Sequence, residues 1–181
     1  MNALPSAVFV DRDGTIMKDL HYVSHPEQVE LIPGAAQAIA RVNALLIPVI
    51  MVTNQSGIGR GYFTIADYDR VNSRLADELS THGARIDASY YCPHPPDAAC
   101  ECRKPGDLLF RRAARDLGFD VHGALFIGDR RRDIEPGVAL GALAALVPSE
   151  NTPADEIEWA RLHAFVDESL GAALDRNLCT N

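Results

Sequence analysis

The feature that most constrains the fold of this chain is an alternation of short apolar runs with segments of helical periodicity. The runs 7–10 (AVFV) and 47–53 (IPVIMVT) are almost entirely apolar, as is typical of strands buried on both faces of a parallel sheet. After such runs, the segments 34–45 and 64–82 show helical patterns. This βαβα order predicts an α/β fold with a doubly wound, mainly parallel, Rossmann-like sheet and right-handed crossovers.

The rest of the chain continues the same order. Further strands are expected at 88–91, 124–127, 143–147 and 164–166. Further helices are expected at 106–117, 133–140 and 153–162, with a last helix at the C-terminus. Because no linker, internal repeat or low-complexity tract interrupts this order, we predict a single domain over residues 1–181.

Two carboxylates follow the first expected strand, in the segment 11–15 (DRDGT). On a loop that leaves a strand, Asp11 and Asp13 can approach the same point, and Gly14 permits the turn. Paired carboxylates suit a hard cation such as Mg²⁺, or a nucleophile beside a general acid. The alternative interpretation of this common pattern is a helix cap with a surface ion pair.

Three other polar segments lie where later loops of the sheet are expected. The segment 53–57 (TNQSG) offers a hydroxyl and backbone N–H groups for an anion, and 103–105 (RKP) offers cations suited to phosphate. Asp129 and Asp133 add carboxylates after the fourth strand. Each segment alone also fits an ordinary polar turn or solvated charges. Together they lie at the strand ends where such folds bind ligands, and they indicate phosphoryl transfer through an aspartyl phosphate.

Three of the four cysteines are clustered in the sequence and have a histidine among them. The potential ligands are Cys92, His94, Cys100 and Cys102. Three thiolates and one imidazole suit a closed, structural Zn²⁺ site, although the CxH and CxC spacings are tighter than usual and reduced, packed thiols are the alternative. We expect zinc to fix the Pro-rich loop at about 92–102, whose end carries the RKP segment. Cys179 is expected to be a free thiol that takes no part in the metal site.

Across essentially its whole length the chain resembles the haloacid dehalogenase-like phosphatases. The matching motifs are 11–15, 53–57, 103–105 and 128–133 (GDxxxD), in the order of the family. The resemblance implies that Asp11 is the nucleophile and that Asp13 is the acid/base. It also implies that Thr53 and Lys104 hold the phosphoryl oxygens. The residues that it implies for Mg²⁺ are Asp11, the backbone carbonyl of Asp13 and Asp129, with Asp133 supporting them without contacting the ion.

The zinc loop and the segment 53–61 (TNQSGIGRG) narrow the resemblance to the D-glycero-D-manno-heptose 1,7-bisphosphate 7-phosphatases. That family implies removal of the 7-phosphate in nucleotide-activated heptose biosynthesis, with short loops in place of a large cap domain. The substrate contacts that it implies are Asn54, Ser56, Arg60, Arg103, Lys104 and the loop around His21 and Tyr22. Histidinol-phosphate phosphatases are the nearest alternative, but their loop resembles TNQDG, so Ser56 favours the heptose family. The run Arg130–Arg132 and the short RKPGD junction depart from the commonest heptose pattern.

Charge and hydropathy bear on the remaining classes. The net charge of −8 and a pI near 5.1 argue against a nucleic-acid partner, and so against a polynucleotide 3′-phosphatase with a similar DxDGT motif. A non-enzymatic, zinc-stabilised binding module is the other alternative. No apolar run approaches the roughly 18 residues of a membrane span, and the N-terminus lacks a secretory signal. We therefore expect a cytoplasmic monomer that acts on a small phosphorylated sugar, without nucleic-acid or membrane partners.

Overall fold

A computed structural model describes residues 4–178 as one six-stranded sheet with helices packed against it. Its strands are β1 Val8–Val10, β2 Val49–Asn54, β3 Ala88–Cys92, β4 Leu125–Gly128, β5 Leu143–Leu146 and β6 Phe165–Val166. The spatial order is β3-β2-β1-β4-β5-β6, and every neighbouring pair is parallel. This is the doubly wound order predicted from the sequence, and the predicted fold class is confirmed. Cys179 lies outside the described residues.

The helices fall between the strands, largely as predicted. They are α1 Ala35–Ala44, α2 Ser56–Gly59, α3 Ile65–Ser80, α4 Leu108–Leu117, α5 Arg131–Ala139, α6 Ala154–His163 and α7 Leu170–Leu178. The short α2 had no sequence prediction. Helix α5 begins two residues before the expected Asp133, because the Asp133 carboxylate caps its first turn and accepts the Arg130 N–H at 2.9 Å. At α3, the Thr64 hydroxyl accepts the Asp67 N–H at 3.2 Å, which confirms the predicted start.

The central strand β1 is buried on both faces, as its apolar sequence predicts. Val8 and Val10 join the core under α1, α3 and α7, whereas Phe9 joins the core under α4, α5 and α6. The Phe9 ring lies 5.1 Å from that of Phe110 and 4.8 Å from that of Phe126. Burying one such side chain contributes roughly 1.5–3 kcal/mol. The strand that leads into the DRDGT loop is therefore held firmly from both sides.

The two long connections at the carboxyl edge of the sheet are loops. The first, 11–34, folds back on itself: the Gly14 N–H donates to the Met17 carbonyl at 2.8 Å, and the Ile32 N–H donates to the Ile16 carbonyl at 3.0 Å. The second, 93–107, contains most of the predicted zinc loop at about 92–102, which is the Cys-rich segment of the chain. Within residues 4–178 no separate cap domain covers the edge, which agrees with the sequence prediction. In the same range, no helix combines the length and the apolar character needed to cross a bilayer.

Candidate active site

The loops that follow β1, β2, β3 and β4 meet at the carboxyl edge of the sheet. Strands β2 and β4 flank β1, so the residues that follow them lie on either side of Asp11. The Asp11 N–H extends the ladder by donating to the Ile127 carbonyl at 3.1 Å. Lys104, although 93 residues away in sequence, reaches the same point. The edge therefore collects the carboxylates and the lysine that the sequence analysis singled out.

Lys104 is the cation at the centre of this site. Its Nζ lies 2.7 Å from Asp11 Oδ1 and 2.8 Å from Asp133 Oδ1, and it donates to the Val52 carbonyl at 2.6 Å. Only 3% of the residue is exposed. Burial alone would lower the pKa of Lys104, but the two carboxylates outweigh burial and raise the pKa above its ordinary value. The ammonium group therefore stays charged inside the protein.

Three buried carboxylates form a potential cation site beside this lysine. Oxygen atoms of Asp11, Asp129 and Asp133 all lie within 4.8 Å of one another. Burial, followed by the charges of Asp133 and Asp11, raises the pKa of Asp129 to about 8, although a hydrogen bond from Ser149 opposes this. Among the described residues, Asp129 Oδ1 is buried without a hydrogen-bond partner. Oxygen ligands with excess negative charge and a spare acceptor suit a hard divalent cation.

Glycines keep these carboxylates close to the backbone. A Cβ atom on Gly14 would collide with the carboxylate of Asp129, and Gly14 also has a φ of +84°, which disfavours other residues. A Cβ atom on Gly128 would collide with the side chain of Asp133. The glycines of DRDGT and of Gly128-Asp129 are therefore needed for the close approach of the acidic groups.

Two residues beyond β5 hold Asp129 in place, and the sequence analysis missed both. The Ser149 hydroxyl donates to Asp129 Oδ2 at 2.7 Å, and the Thr152 hydroxyl donates to the Asp129 carbonyl at 2.7 Å. These contacts leave Oδ1 as the oxygen available to a cation. Their position in the sequence could have identified them, because polar residues that follow a parallel strand lie at the ligand-binding edge of the sheet.

The predicted acid/base, Asp13, is linked to the predicted phosphoryl ligand, Thr53. Gln55 Nε2 donates to Asp13 Oδ2 at 2.9 Å and to Thr53 Oγ1 at 2.8 Å. Because the Thr53 hydroxyl oxygen accepts this bond, its own hydrogen is free to donate to another group. The sequence analysis named Gln55 only as part of a motif, whereas the geometry makes it the link between the two predicted site residues.

Asn54, a predicted substrate contact, uses its amide on the backbone of Lys104. Its Oδ1 accepts the Lys104 N–H at 3.0 Å, and its Nδ2 donates to the Lys104 carbonyl at 3.2 Å. This pair of bonds attaches the end of the Cys-rich loop to β2. Asn54 therefore braces Lys104, and a contact between Asn54 and a substrate stays a prediction.

A cleft of about 190 Å³ opens beside Asp13. Its lining includes Asp13, Asp19, His21, Tyr22, Asn54, Gln55, Ser56, Gly57 and Arg132. The predicted contacts His21, Tyr22 and Ser56 are thus brought together here. Arg103 and Arg60 are absent from this lining. Arg103 donates to the His94 carbonyl at 3.3 Å, and the exposed Arg60 lies beyond α2.

The run Arg130–Arg132, which departs from the commonest heptose pattern, divides among three environments. Arg130 forms a bidentate pair with Glu156, at 3.0 and 2.7 Å. Arg131 pairs with Glu135, and its guanidinium lies 4.4 Å from the centroid of the Trp159 ring. Arg132 lines the cleft, and among the described residues its Nε is buried without an acceptor. It is a potential anion contact that the sequence analysis did not assign.

Positive charge accumulates around this part of the site. Burial, together with the charges of Arg132 and Arg60, lowers the pKa of Arg103. Such mutual repulsion is relieved when an anion binds between the cations.

The clustered cysteines and histidine form a second potential metal site. Their ligand atoms lie within 4.8 Å of one another, with Cys92 Sγ 3.7 Å from Cys100 Sγ and His94 Nδ1 3.2 Å from Cys102 Sγ. Burial raises the pKa of the Cys92 thiol to about 12. A bound cation would reverse this effect by stabilising thiolates. Three sulfur donors and one imidazole nitrogen fit a tetrahedral zinc ion.

Comparisons with known proteins agree with this geometry. A family model described as HAD-hydrolase-like matches residues 101–173. The chain is 40% identical over 129 residues to a protein of Thermoplasma acidophilum named "Probable D-glycero-D-manno-heptose-1,7-bisphosphate 7-phosphatase", covering 71% of this chain and 81% of that protein. It is 37% identical over 141 residues to the D-glycero-beta-D-manno-heptose-1,7-bisphosphate 7-phosphatase of Pseudomonas putida, covering 77% and 81% of the two chains.

A solved structure extends this similarity to the fold. The crystal structure of D,D-heptose 1,7-bisphosphate phosphatase from B. bronchiseptica, complexed with magnesium and phosphate, matches with a TM-score of 0.86 at 32% identity. The match covers 95% of this chain and 98% of that one.

Proposed function

The chain belongs to the haloacid dehalogenase-like hydrolases, in the family of the heptose-1,7-bisphosphate 7-phosphatases, and on that premise we propose that it removes the 7-phosphate of D-glycero-D-manno-heptose 1,7-bisphosphate. The chain is thus a phosphoric monoester hydrolase. The observation that carries the proposed mechanism is the buried Asp11, paired with Lys104 and within 4.8 Å of two further carboxylates. This arrangement supplies a nucleophile, a cation for the phosphoryl group and ligands for a metal.

The first half of the proposed reaction forms an aspartyl phosphate. A carboxylate oxygen of Asp11 attacks the phosphorus, and the bond from phosphorus to the sugar oxygen breaks. Asp13, protonated at the start, gives its proton to that oxygen, so the oxygen leaves as a hydroxyl group of the sugar 1-phosphate and not as an alkoxide. Lys104 and the free hydroxyl hydrogen of Thr53 stabilise the negative charge on the phosphoryl oxygens.

The second half of the reaction releases phosphate. Asp13, now a carboxylate, takes a proton from a water molecule while the water oxygen attacks the phosphorus. The bond between phosphorus and the Asp11 oxygen breaks, which yields inorganic phosphate and restores the Asp11 carboxylate. Asp13 ends protonated, ready for the next turnover.

Two metals belong to this proposal. Mg²⁺ would be held by Asp11, the Asp13 carbonyl and Asp129, with Asp133 supporting them, and when bound it neutralises charge on the transferring phosphoryl group. Zn²⁺ would be held by the residues Cys92, His94, Cys100 and Cys102. Its role would be structural, because four protein ligands leave no open position on the ion. The loop that it fixes ends at Arg103 and Lys104.

The substrate part of the proposal draws on the similarity to heptose bisphosphatases and on the positive charge near the cleft. A second phosphate on the sugar would bring Arg132 an acceptor and would relieve the repulsion between Arg132 and Arg103. Ser56, Asn54 and Arg60 stay as predicted substrate contacts. Nucleotide-activated heptose biosynthesis, a cytoplasmic location and a monomeric state also stay as predictions.

A phosphate-release assay tests the proposal. The purified protein with Mg²⁺ is given heptose 1,7-bisphosphate, fructose 1,6-bisphosphate and histidinol phosphate in parallel. We expect the highest kcat/KM for the heptose bisphosphate, and complete loss of turnover in Asp11→Asn. Asp69→Asn, at an exposed position on α3, is the matched control and should retain full activity.

Each part of the proposal has its own contrary result. A clear preference for histidinol phosphate would refute the heptose assignment and leave the aspartyl-phosphate chemistry intact. Normal turnover by Asp11→Asn would refute the chemistry itself.

A further inference from the structure

Arg12, the residue between the two aspartates of DRDGT, is the largest fully buried side chain among the described residues. Only 1% of it is exposed, although it carries a permanent charge. Burying an unpaired guanidinium costs several kcal/mol, so Arg12 needs partners inside the protein. The identity of those partners indicates the role of the buried charge.

The main partner of Arg12 is the adjacent acid/base. Arg12 Nε lies 3.2 Å from both carboxylate oxygens of Asp13, and Nη2 lies 3.1 Å from Oδ2. Gln55 donates to the same Oδ2 at 2.9 Å. Two neighbouring side chains thus fix the plane of a carboxylate that is itself 22% exposed and borders the cleft.

Arg12 is in turn held by residues outside the loop. Nη2 donates to Gln55 Oε1 at 3.1 Å, and Nη1 donates to Asn72 Oδ1 on α3 at 3.1 Å. The guanidinium carbon lies 5.4 Å from the centroid of the Tyr68 ring, also on α3. Because each of its three nitrogens has a partner, the guanidinium group cannot rotate without breaking several contacts.

We propose that Arg12 is a positioning residue for the acid/base of the reaction. Held by Asn72 and Gln55, it fixes the Asp13 carboxylate in the orientation from which a proton reaches the leaving oxygen. The inference rests on the proposed function, because it takes Asp13 as the acid/base. Without these partners the carboxylate could rotate about its side-chain bonds, and misplacement of a reacting group by about 1 Å can reduce the rate by 10²-fold.

This role predicts a dependence on the leaving group. A sugar alcohol is a poor leaving group and needs its proton during the first half of the reaction, whereas p-nitrophenolate leaves without one. The kcat/KM value reports the steps up to formation of the aspartyl phosphate. Misplacing Asp13 should therefore lower kcat/KM for a sugar phosphate much more than for p-nitrophenyl phosphate.

The test compares Arg12→Lys and Asn72→Ala with the wild type on heptose 1,7-bisphosphate and p-nitrophenyl phosphate. Arg12→Lys keeps the positive charge and loses the planar guanidinium, while Asn72→Ala removes only the hydrogen bond between Arg12 and α3. We expect kcat/KM for the sugar phosphate to fall about 10²-fold in Arg12→Lys and about 10-fold in Asn72→Ala. The fall for p-nitrophenyl phosphate should stay below about 5-fold, because that reaction does not need the proton.

Asp13→Asn is measured alongside, to separate this inference from the proposed function. If Asp13→Asn shows the leaving-group dependence and the two other variants lose activity equally on both substrates, Arg12 has only a structural role. The same conclusion follows if neither variant loses activity. If Asp13→Asn itself shows no such dependence, the proposed acid/base is wrong. Should Arg12→Lys fail to fold, the outcome for Asn72→Ala decides.

Discussion

Replacing Lys104 by methionine would remove the positive charge from between two buried carboxylates. Lys104 Nζ contacts Asp11 at 2.7 Å and Asp133 at 2.8 Å, and the side chains of all three residues are at most 7% exposed. Methionine has a similar volume, so the change tests the charge more than the packing. In the metal-free protein, Lys104→Met leaves both carboxylates without their common partner.

The expected loss of stability follows from the burial of this pair. Removing one partner of a buried ion pair typically costs about 3–5 kcal/mol, because a buried charge is left uncompensated. For a chain of 181 residues, each kcal/mol lowers Tm by about 2–4 °C, so Tm should fall by about 6–20 °C. Turnover should fall about 10²–10³-fold, the usual effect of removing one preorganised charge contact.

Lys18, the only other lysine of the chain, provides the matched control. It pairs with Glu30 at the surface, where its side chain is 48% exposed. Lys18→Met should cost less than about 1 kcal/mol. Thermal unfolding of both variants is measured with and without Mg²⁺, and Mg²⁺ should raise Tm more in Lys104→Met than in the wild type, since the bound cation meets less repulsion. Equal unfolding temperatures for Lys104→Met and Lys18→Met would refute this reasoning.

Three further substitutions test other parts of the site. Ser149→Ala should raise the Mg²⁺ concentration for half-maximal activity about 10-fold or more, because the hydrogen bond that orients Asp129 is lost. Ser149→Thr should restore the wild-type value, and an unchanged Mg²⁺ dependence in Ser149→Ala contradicts this role. Cys100→Ser should lower Tm and raise KM, whereas Cys179→Ser should change neither; identical Tm and kinetics in both would rule out a structural zinc site. Arg132→Ala should reduce kcat/KM for the bisphosphate by roughly 10-fold or more, as expected for a lost charged hydrogen bond, and affect heptose 7-phosphate less; equal losses contradict a contact to the second phosphate.

The fold and the convergence of the motifs could be predicted because their signals are local in sequence. Each apolar run marks a buried strand, and the polar residues directly after it must lie at one edge of a parallel sheet. Asp11 and Asp129 follow two such runs, in β1 and β4, and the structure brings them together at that edge.

The parts that could not be predicted depend on the direction of individual side chains. Three consecutive arginines at 130–132 have the same chemistry, yet only Arg132 faces the cleft. The pairing of Arg131 with Glu135 has the i,i+4 spacing of helix neighbours and could have been expected. The pairing of Arg130 with Glu156 spans 26 residues and depends on how α6 packs beside α5, which no local pattern encodes.

The separation of 93 residues between Asp11 and Lys104 also has a consequence for how the enzyme matures. Asp11, the proposed nucleophile, is synthesised early, but Lys104 and Asp133 arrive only after more than half of the chain has been made. Contacts between distant residues require closure of long loops, and they form late relative to local helices. During refolding, recovery of helical signal should therefore precede recovery of catalysis, and a nascent chain that ends before β4 should hold Asp11 and Lys104 without Asp129 and Asp133.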